Sequence, residues 1–239
     1  MNCGISTNCL MDLPLKEALA LLAPLSDRVE IQCDAGHSLF THLEDAQSFD
    51  LHYTIHAPTS DGNLACTFEP MRKAAVAVLE ETAKAAGEIN AEKIVVHAGY
   101  CLDKSKWEES KLAAKRSLAE LGALQEEYSA RFVIENFGGW DICHFRFPDL
   151  LPYIRECGLG FCLDVGHANL NGVLNEFLQA SPDHMHLHDN HGLEDEHAVC
   201  GSGNIDFAKV MQCPASKTVE VLTFESALSS FKYLQTFSV

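Results

Sequence analysis

Short apolar runs and longer amphipathic stretches alternate along the whole chain. IVVHAG (94–99) and FVIENF (132–137) are continuous apolar segments whose polarity returns only at their C-terminal ends, as in strands buried on both faces of a parallel sheet. Segments of this type predict strands over 3–6, 28–33, 51–56, 93–97, 131–136, 160–164, 184–189 and 218–225. Between them, helical patterns predict helices over 15–23, 37–46, 68–87, 104–128, 148–157, 172–180, 205–212 and 227–234. The stretch 71–86 is rich in Ala, Leu and Glu, which are strong helix formers, and Gly87 suits a C-terminal cap.

Eight strand–helix units of about thirty residues each predict an α/β protein built as a (β/α)8 barrel. An open, doubly wound sheet is the competing arrangement, but no glycine-rich phosphate-binding turn follows the first strand. Neither linker nor internal repeat interrupts the pattern, so residues 1–239 read as one domain.

Composition agrees with a globular enzyme-sized core. Apolar residues make up 47% of the 239 positions and mean hydropathy is −0.03, well outside the range of disordered chains. The N-terminal segment carries no basic-then-apolar leader pattern. The longest apolar stretch, 18–25, is far short of the roughly 20 residues that span a bilayer. The ten cysteines are scattered without a CxxC pair, so neither a zinc–thiolate site nor a disulfide framework is expected. The reading is a soluble, cytoplasmic protein. A net charge of −17 repels phosphate backbones and disfavours nucleic acid as a partner, although it does not forbid a local binding patch.

Candidate chemistry lies at the strand ends. His56, His97, Glu135, Asp164 and Glu225 each close a predicted strand, His186 lies within the seventh, His167 follows the sixth, and Asp195 and His197 follow the seventh. The C-terminal ends of barrel strands converge on one face, where active sites form. Burying these groups separately would need a partner for each, whereas a shared metal centre satisfies them together. One to three divalent ions, Zn, Mn or Mg, are therefore expected. The stretch DHMHLHDN (183–190) sets His184, His186 and His188 on one face of a strand. Position along the strand predicts His186 as the ligand, His188 nearer the mouth, against substrate or behind a ligand, and His184 deeper, in plain packing.

The ordered motifs IHAP, VVHAG, VIENFGG, CLDVGHANLNG, HLHDN, DEHAVCGSGNID and FES, spanning 55–226, resemble the xylose-isomerase-like barrels, a superfamily that includes endonuclease IV-type apurinic-site nucleases. The resemblance implies two chemical versions. In the sugar isomerases and epimerases, Glu135, Asp164, His186 and Glu225 would hold one metal, with Glu135 and Glu225 passing a proton beside a carbonyl. In the nuclease version, His56, His97 and Glu135 would hold a first zinc and Glu135, Asp164, His186 and Glu225 a second. His167, Asp195 and His197 would hold a third. Four carboxylates with one dication leave about −2, suited to a neutral polyol, whereas three dications leave about +2, suited to a phosphate ester.

Against a DNA nuclease, Glu196 stands where those enzymes carry Arg, and the loops HSLFTH, PTSDGN and NHGLEDEH are neutral or acidic. Against a standard epimerase, HLHDNHG lacks the Arg that usually follows the strand-seven His. The expectation is a metal-dependent isomerase or epimerase of a small sugar or sugar phosphate. The alternative is a trinuclear-zinc phosphoesterase, and a non-catalytic binding barrel is a third reading.

Two loops complete the candidates. In FGGWDICHFRFP (137–148), Trp140, Phe145 or Phe147 is expected to wall the pocket and Arg146 to meet a substrate phosphate, with packing over the rim as the plainer reading. In GSGNID (201–206), the glycines would let backbone amides approach a phosphate; a tight turn is the plainer account.

Overall fold

Eight parallel strands close on themselves in sequence order, β1 pairing with both β2 and β8, in a computed structural model that describes residues 3–60, 62–128 and 130–237. The strands are β1 (Cys3–Ser6), β2 (Arg28–Gln32), β3 (His52–His56), β4 (Lys93–His97), β5 (Phe132–Glu135), β6 (Gly160–Asp164), β7 (His184–Leu187) and β8 (Ser216–Val219). Helices α1 (Leu15–Leu22), α2 (Leu39–Gln47), α3 (Glu69–Glu88), α4 (Trp107–Tyr128) and α5 (Leu151–Glu156) follow the first five strand positions with the expected alternation. They continue with α6 (Val165–Leu170), α7 (Leu174–Gln179), α8 (Phe207–Val210) and α9 (Phe224–Gln235). No helix among the described residues is long and apolar enough to cross a membrane.

Most of the core lies between strands and helices. Outward-facing residues such as Ile55, Ile94, Val96, Ile134, Phe161, Leu163, Met185 and Leu187 are buried against the helical layer. A separate small cluster, Val95, Val133 and Cys162, fills the barrel interior beneath the strand ends. Each of these three precedes by two residues an inward polar group, His97, Glu135 or Asp164, so strand alternation stacks the polar layer directly on the apolar one. The ten cysteines stand apart as thiols, seven of them buried.

The barrel departs from expectation at three elements. A helix, α6, begins directly after Asp164, whose carboxylate caps it by accepting from the His167 amide at 2.6 Å. Strand β7 ends at Leu187 rather than at 189. The largest difference is at β8, expected over 218–225. In register with β7, Thr218 pairs with His186 and Val219 with Leu187, and the strand stops there. Thr223 then caps α9 by accepting from the Ser226 amide at 3.2 Å, so Phe224 and Glu225 belong to a helix.

Candidate metal centre

Glu135, at the end of β5 and 1% exposed, is the hub of the barrel mouth. Its Oε2 lies 3.1 Å from His56 Nε2 on β3 and 3.2 Å from His97 Nε2 on β4. Its Oε1 lies 3.4 Å from His186 Nδ1 on β7 and 3.5 Å from His167 Nδ1. Each strand contributes the residue that register places on the inner face at that level: His97 pairs with Glu135, and Asp164 with His186.

The strand-eight carboxylate is Glu220, not Glu225. Glu220 follows the last residue of β8 and brings Oε2 to 3.3 Å from His186 Nδ1, whereas Glu225 is exposed on the first turn of α9. The expectation failed because VEVLTFES reads as one extended apolar run, although its T-x-x-S step is a helix start. Alternation from Thr218, which points inward beside His184, is the signal that selects Glu220.

Among the described residues, five groups of ligand-type atoms lie with their atoms within 4.8 Å of one another: His56, His97 and Glu135; Glu135, Asp164, His186 and Glu220; His167, His188, Asp195 and His197; and two that overlap them at His186, namely His56, His186 and Glu220, and Glu30, His184 and His186. In the third group, Asp195 Oδ2 lies 3.1 Å from His167 Nε2 and 3.5 Å from His197 Nε2. His197 sits at a φ of 42°, the left-handed region, held by the Asp189–Ala198 bridge and by its Nδ1 donating to the Glu220 carbonyl at 3.1 Å. Strain of that kind is retained where the surroundings over-determine a side-chain position. His188, expected against substrate or behind a ligand, lies with this group: its ring stacks on His197 at 3.9 Å and its Nε2 lies 3.0 Å from Asp164 Oδ1. Gly166 makes room for it, since a Cβ there would fall 2.0 Å from His188 Cε1.

The donor atoms fit divalent ions. His186 Nδ1, His188 Nδ1 and Asp195 Oδ1 are buried without a hydrogen-bond partner, an arrangement folded proteins avoid unless another group satisfies it. The set is imidazole and carboxylate without thiolate, a combination that suits zinc and also admits manganese. Without ions, protons hold the charge balance. Burial opposes charge on His56, but Glu135 outweighs it and raises the imidazole to about 9. His197 is likewise raised to about 9, against burial, by Asp195 and Glu220. Burial opposes the charge of Glu135 too, yet His186 and His97 hold it well below the usual carboxylate range.

Beneath this layer lies Glu30 on β2, which the sequence reading missed. It is fully buried, with Oε2 3.0 Å from His184 Nε2 and Oε1 2.9 Å from His186 Nε2, the latter close but poorly aligned for a hydrogen bond. His184, expected in plain packing, also reaches Ser216 Oγ at 2.7 Å, so it belongs to a polar network and not to the apolar core. Glu30 lies on the Nε2 side of the His186 ring, while Nδ1 faces Glu135 and Glu220. Carboxylates behind metal-binding histidines commonly contribute 10–100-fold in affinity. Glu30→Gln is therefore expected to weaken zinc binding by about that factor, measured by chelator competition; unchanged affinity would refute an orienting role.

Around the ligands lies a cavity of about 220 Å³ whose walls include Asn8, Gln32, Thr59, Phe137 and Trp140. Trp140 lines it, 51% exposed and edge-on to His167 at 6.1 Å. Arg146 is not: its Nε and Nη2 donate to Asn171 Oδ1 at 3.2 and 2.9 Å, and its guanidinium rests on Phe147. Phe145 packs in the core against Phe161 and Phe177, so neither it nor Phe147 walls the cavity. The amides of GSGNID are also otherwise engaged. Those of Gly201 and Gly203 donate to Asp189 Oδ2, both at 2.9 Å, and that of Ile205 to Oδ1 at 3.2 Å. Asp189→Ala would strand these donors, of which the Ile205 amide is buried and the two glycine amides part-buried, and is expected to cost about 2 kcal/mol, read from urea unfolding curves.

The xylose isomerase-like TIM-barrel model matches residues 42–213. The chain belongs to that family. An uncharacterised protein of Methanocaldococcus jannaschii is 36% identical over 214 residues, covering 87% of this chain and 85% of that protein. Within the family, a crystal structure of a D-tagatose 3-epimerase-like protein superposes with a TM-score of 0.89 at 27% identity, over 100% of this chain and 97% of that one. A probable endonuclease 4 of Mycobacterium leprae is 31% identical over 167 residues, 64% of each chain.

Proposed function

We propose that this family member is a divalent-metal-dependent phosphoester hydrolase acting on a small phosphate ester. The observation that carries the reading is the double engagement of Glu135. One carboxylate oxygen lies 3.1 and 3.2 Å from His56 and His97 while the other lies 3.4 and 3.5 Å from His186 and His167, so a single carboxylate faces more than one group of ligand-type residues. His56, His97 and Glu135 would hold one ion, Glu135, Asp164, His186 and Glu220 a second, and His167, Asp195 and His197, with His188 beside them, a third. Ions there would neutralise ester oxygens and acidify an attacking water. The four carboxylates then sit in a net positive site that attracts the phosphate. Trp140 narrows the mouth and limits bulk water, and the acidic entrance loops favour a compact ester over a duplex.

The test is metal content together with turnover. Protein purified without added metal should retain two or more zinc ions per chain and hydrolyse p-nitrophenyl phosphate or bis(p-nitrophenyl) phosphate. One ion per chain, with no ester cleaved, sinks the reading.

A second reading, isomerisation or epimerisation of a small sugar at one ion held by Glu135, Asp164, His186 and Glu220, is favoured by the full-length likeness to the epimerase-like protein. Its signature is solvent deuterium entering a carbon-bound position of a ketohexose.

A further inference from the structure

A second cavity, about 210 Å³, opens beside the metal centre. It lies between α3 and the outer face of the barrel, under Ala75, Val78 and Leu79 from the helix and over Ala57, Leu64 and Val96 from the barrel side. Ala75, Val78 and Leu79 are three and four residues apart, so they present one face of α3. The cavity adjoins the metal-lined one, and Thr59, His97 and Phe137 line both. Phe137 stacks on His97 at 4.4 Å, so the imidazole that faces Glu135 also borders the apolar space.

We propose that this pocket is a substrate subsite for an aryl or branched-alkyl group. The ester cleaved at the metal centre then carries an apolar substituent on the side of His97. The proposal deepens the phosphoester reading and rests on it for the identity of the anionic end. Size fits: an apolar cavity of roughly 150 Å³ holds a benzene molecule. Chemistry fits as well: among the described residues the helix and barrel walls are aliphatic, and the polar lining groups Thr59, His97 and Tyr100 are few beside them. A bare polyol would leave this space filled with water facing Leu64, Leu79 and Val96, which gains nothing, whereas a ring buried there is removed from water. The shared residues Thr59, His97 and Phe137 place the pocket next to the metal-lined cavity, so an ester held there would have its substituent beside this apolar space.

Two measurements test it. Benzyl alcohol, which has no anionic group, should bind the metal-free protein in ligand-detected NMR. Val78→Phe, which fills the space, should weaken that binding at least tenfold. Phenylphosphonate should bind the zinc-loaded protein at least tenfold more tightly than methylphosphonate, the factor expected from burying one ring, and Val78→Phe should erase the difference. Ala75→Leu, filling the pocket from the same helix face, replaces Val78→Phe if that variant does not fold. Equal binding of the two phosphonates, or benzyl alcohol binding that neither variant changes, overturns the subsite. If benzyl alcohol binds and is displaced by the filling variant while neither phosphonate binds and no ester is hydrolysed, the pocket stands and the phosphoester reading falls.

Discussion

Glu135→Gln is expected to lower ester hydrolysis by at least about a thousandfold and to strip the protein of more than one metal ion. The substitution keeps the side-chain shape but removes the charge that two ligand groups share, so both lose affinity together. Losing charge stabilisation of several kcal/mol at a reacting phosphate is a factor of this size. The metal-free barrel should weaken too, because His56 and His186 lose the carboxylate they face, and breaking a buried ion pair from one side costs about 3 kcal/mol. Metal analysis, turnover of a p-nitrophenyl ester and a thermal melt read the three effects separately. A variant with full metal content and full rate would remove Glu135 from the centre.

The second large effect separates two glutamates five positions apart. Glu220→Gln should cost at least about a hundredfold in turnover, since Glu220 supplies one of the carboxylates facing His186. Glu225→Gln, on the exposed start of α9, should stay within about twofold of the parent. Equal losses in the two variants would mean that α9 takes part in the site, and a loss confined to Glu225 would reverse the assignment.

How legible all this is in the amino-acid order depends on which force places each residue. The barrel is readable because buried parallel strands need continuous apolar runs, and IVVH, FVIE and GFCLD advertise themselves as such. His56, His97, Glu135 and Asp164 are readable for the same reason, as polar groups that end apolar runs. Glu220 hides because no apolar run stops at it: Val221 and Leu222 extend the pattern while the chain has already turned toward the Thr223 cap. Glu30 hides more deeply. Inside RVEIQ it looks like one polar residue of an ordinary strand, and its role exists only once β7 lies across the barrel with His184 and His186. Arg146 misleads in the opposite sense. A cation in an aromatic loop suggests a phosphate, but its partner is Asn171, a contact made by the turn after α6 and invisible until that helix is known. The amides of GSGNID mislead likewise, since Asp189, twelve residues upstream of the first of them, already accepts them.

Gly166 carries a consequence for reading related chains. His188 takes its place among the third group of ligands only because no side chain begins at 166. A single added carbon there would push the imidazole off Asp164 and away from His197 without altering any ligand. Relatives that keep every histidine and carboxylate yet carry alanine or serine at this position should therefore hold fewer ions. Inventories of ligand residues would then overstate what such barrels bind, and divergence in chemistry across the family could begin at a residue that never touches metal or substrate.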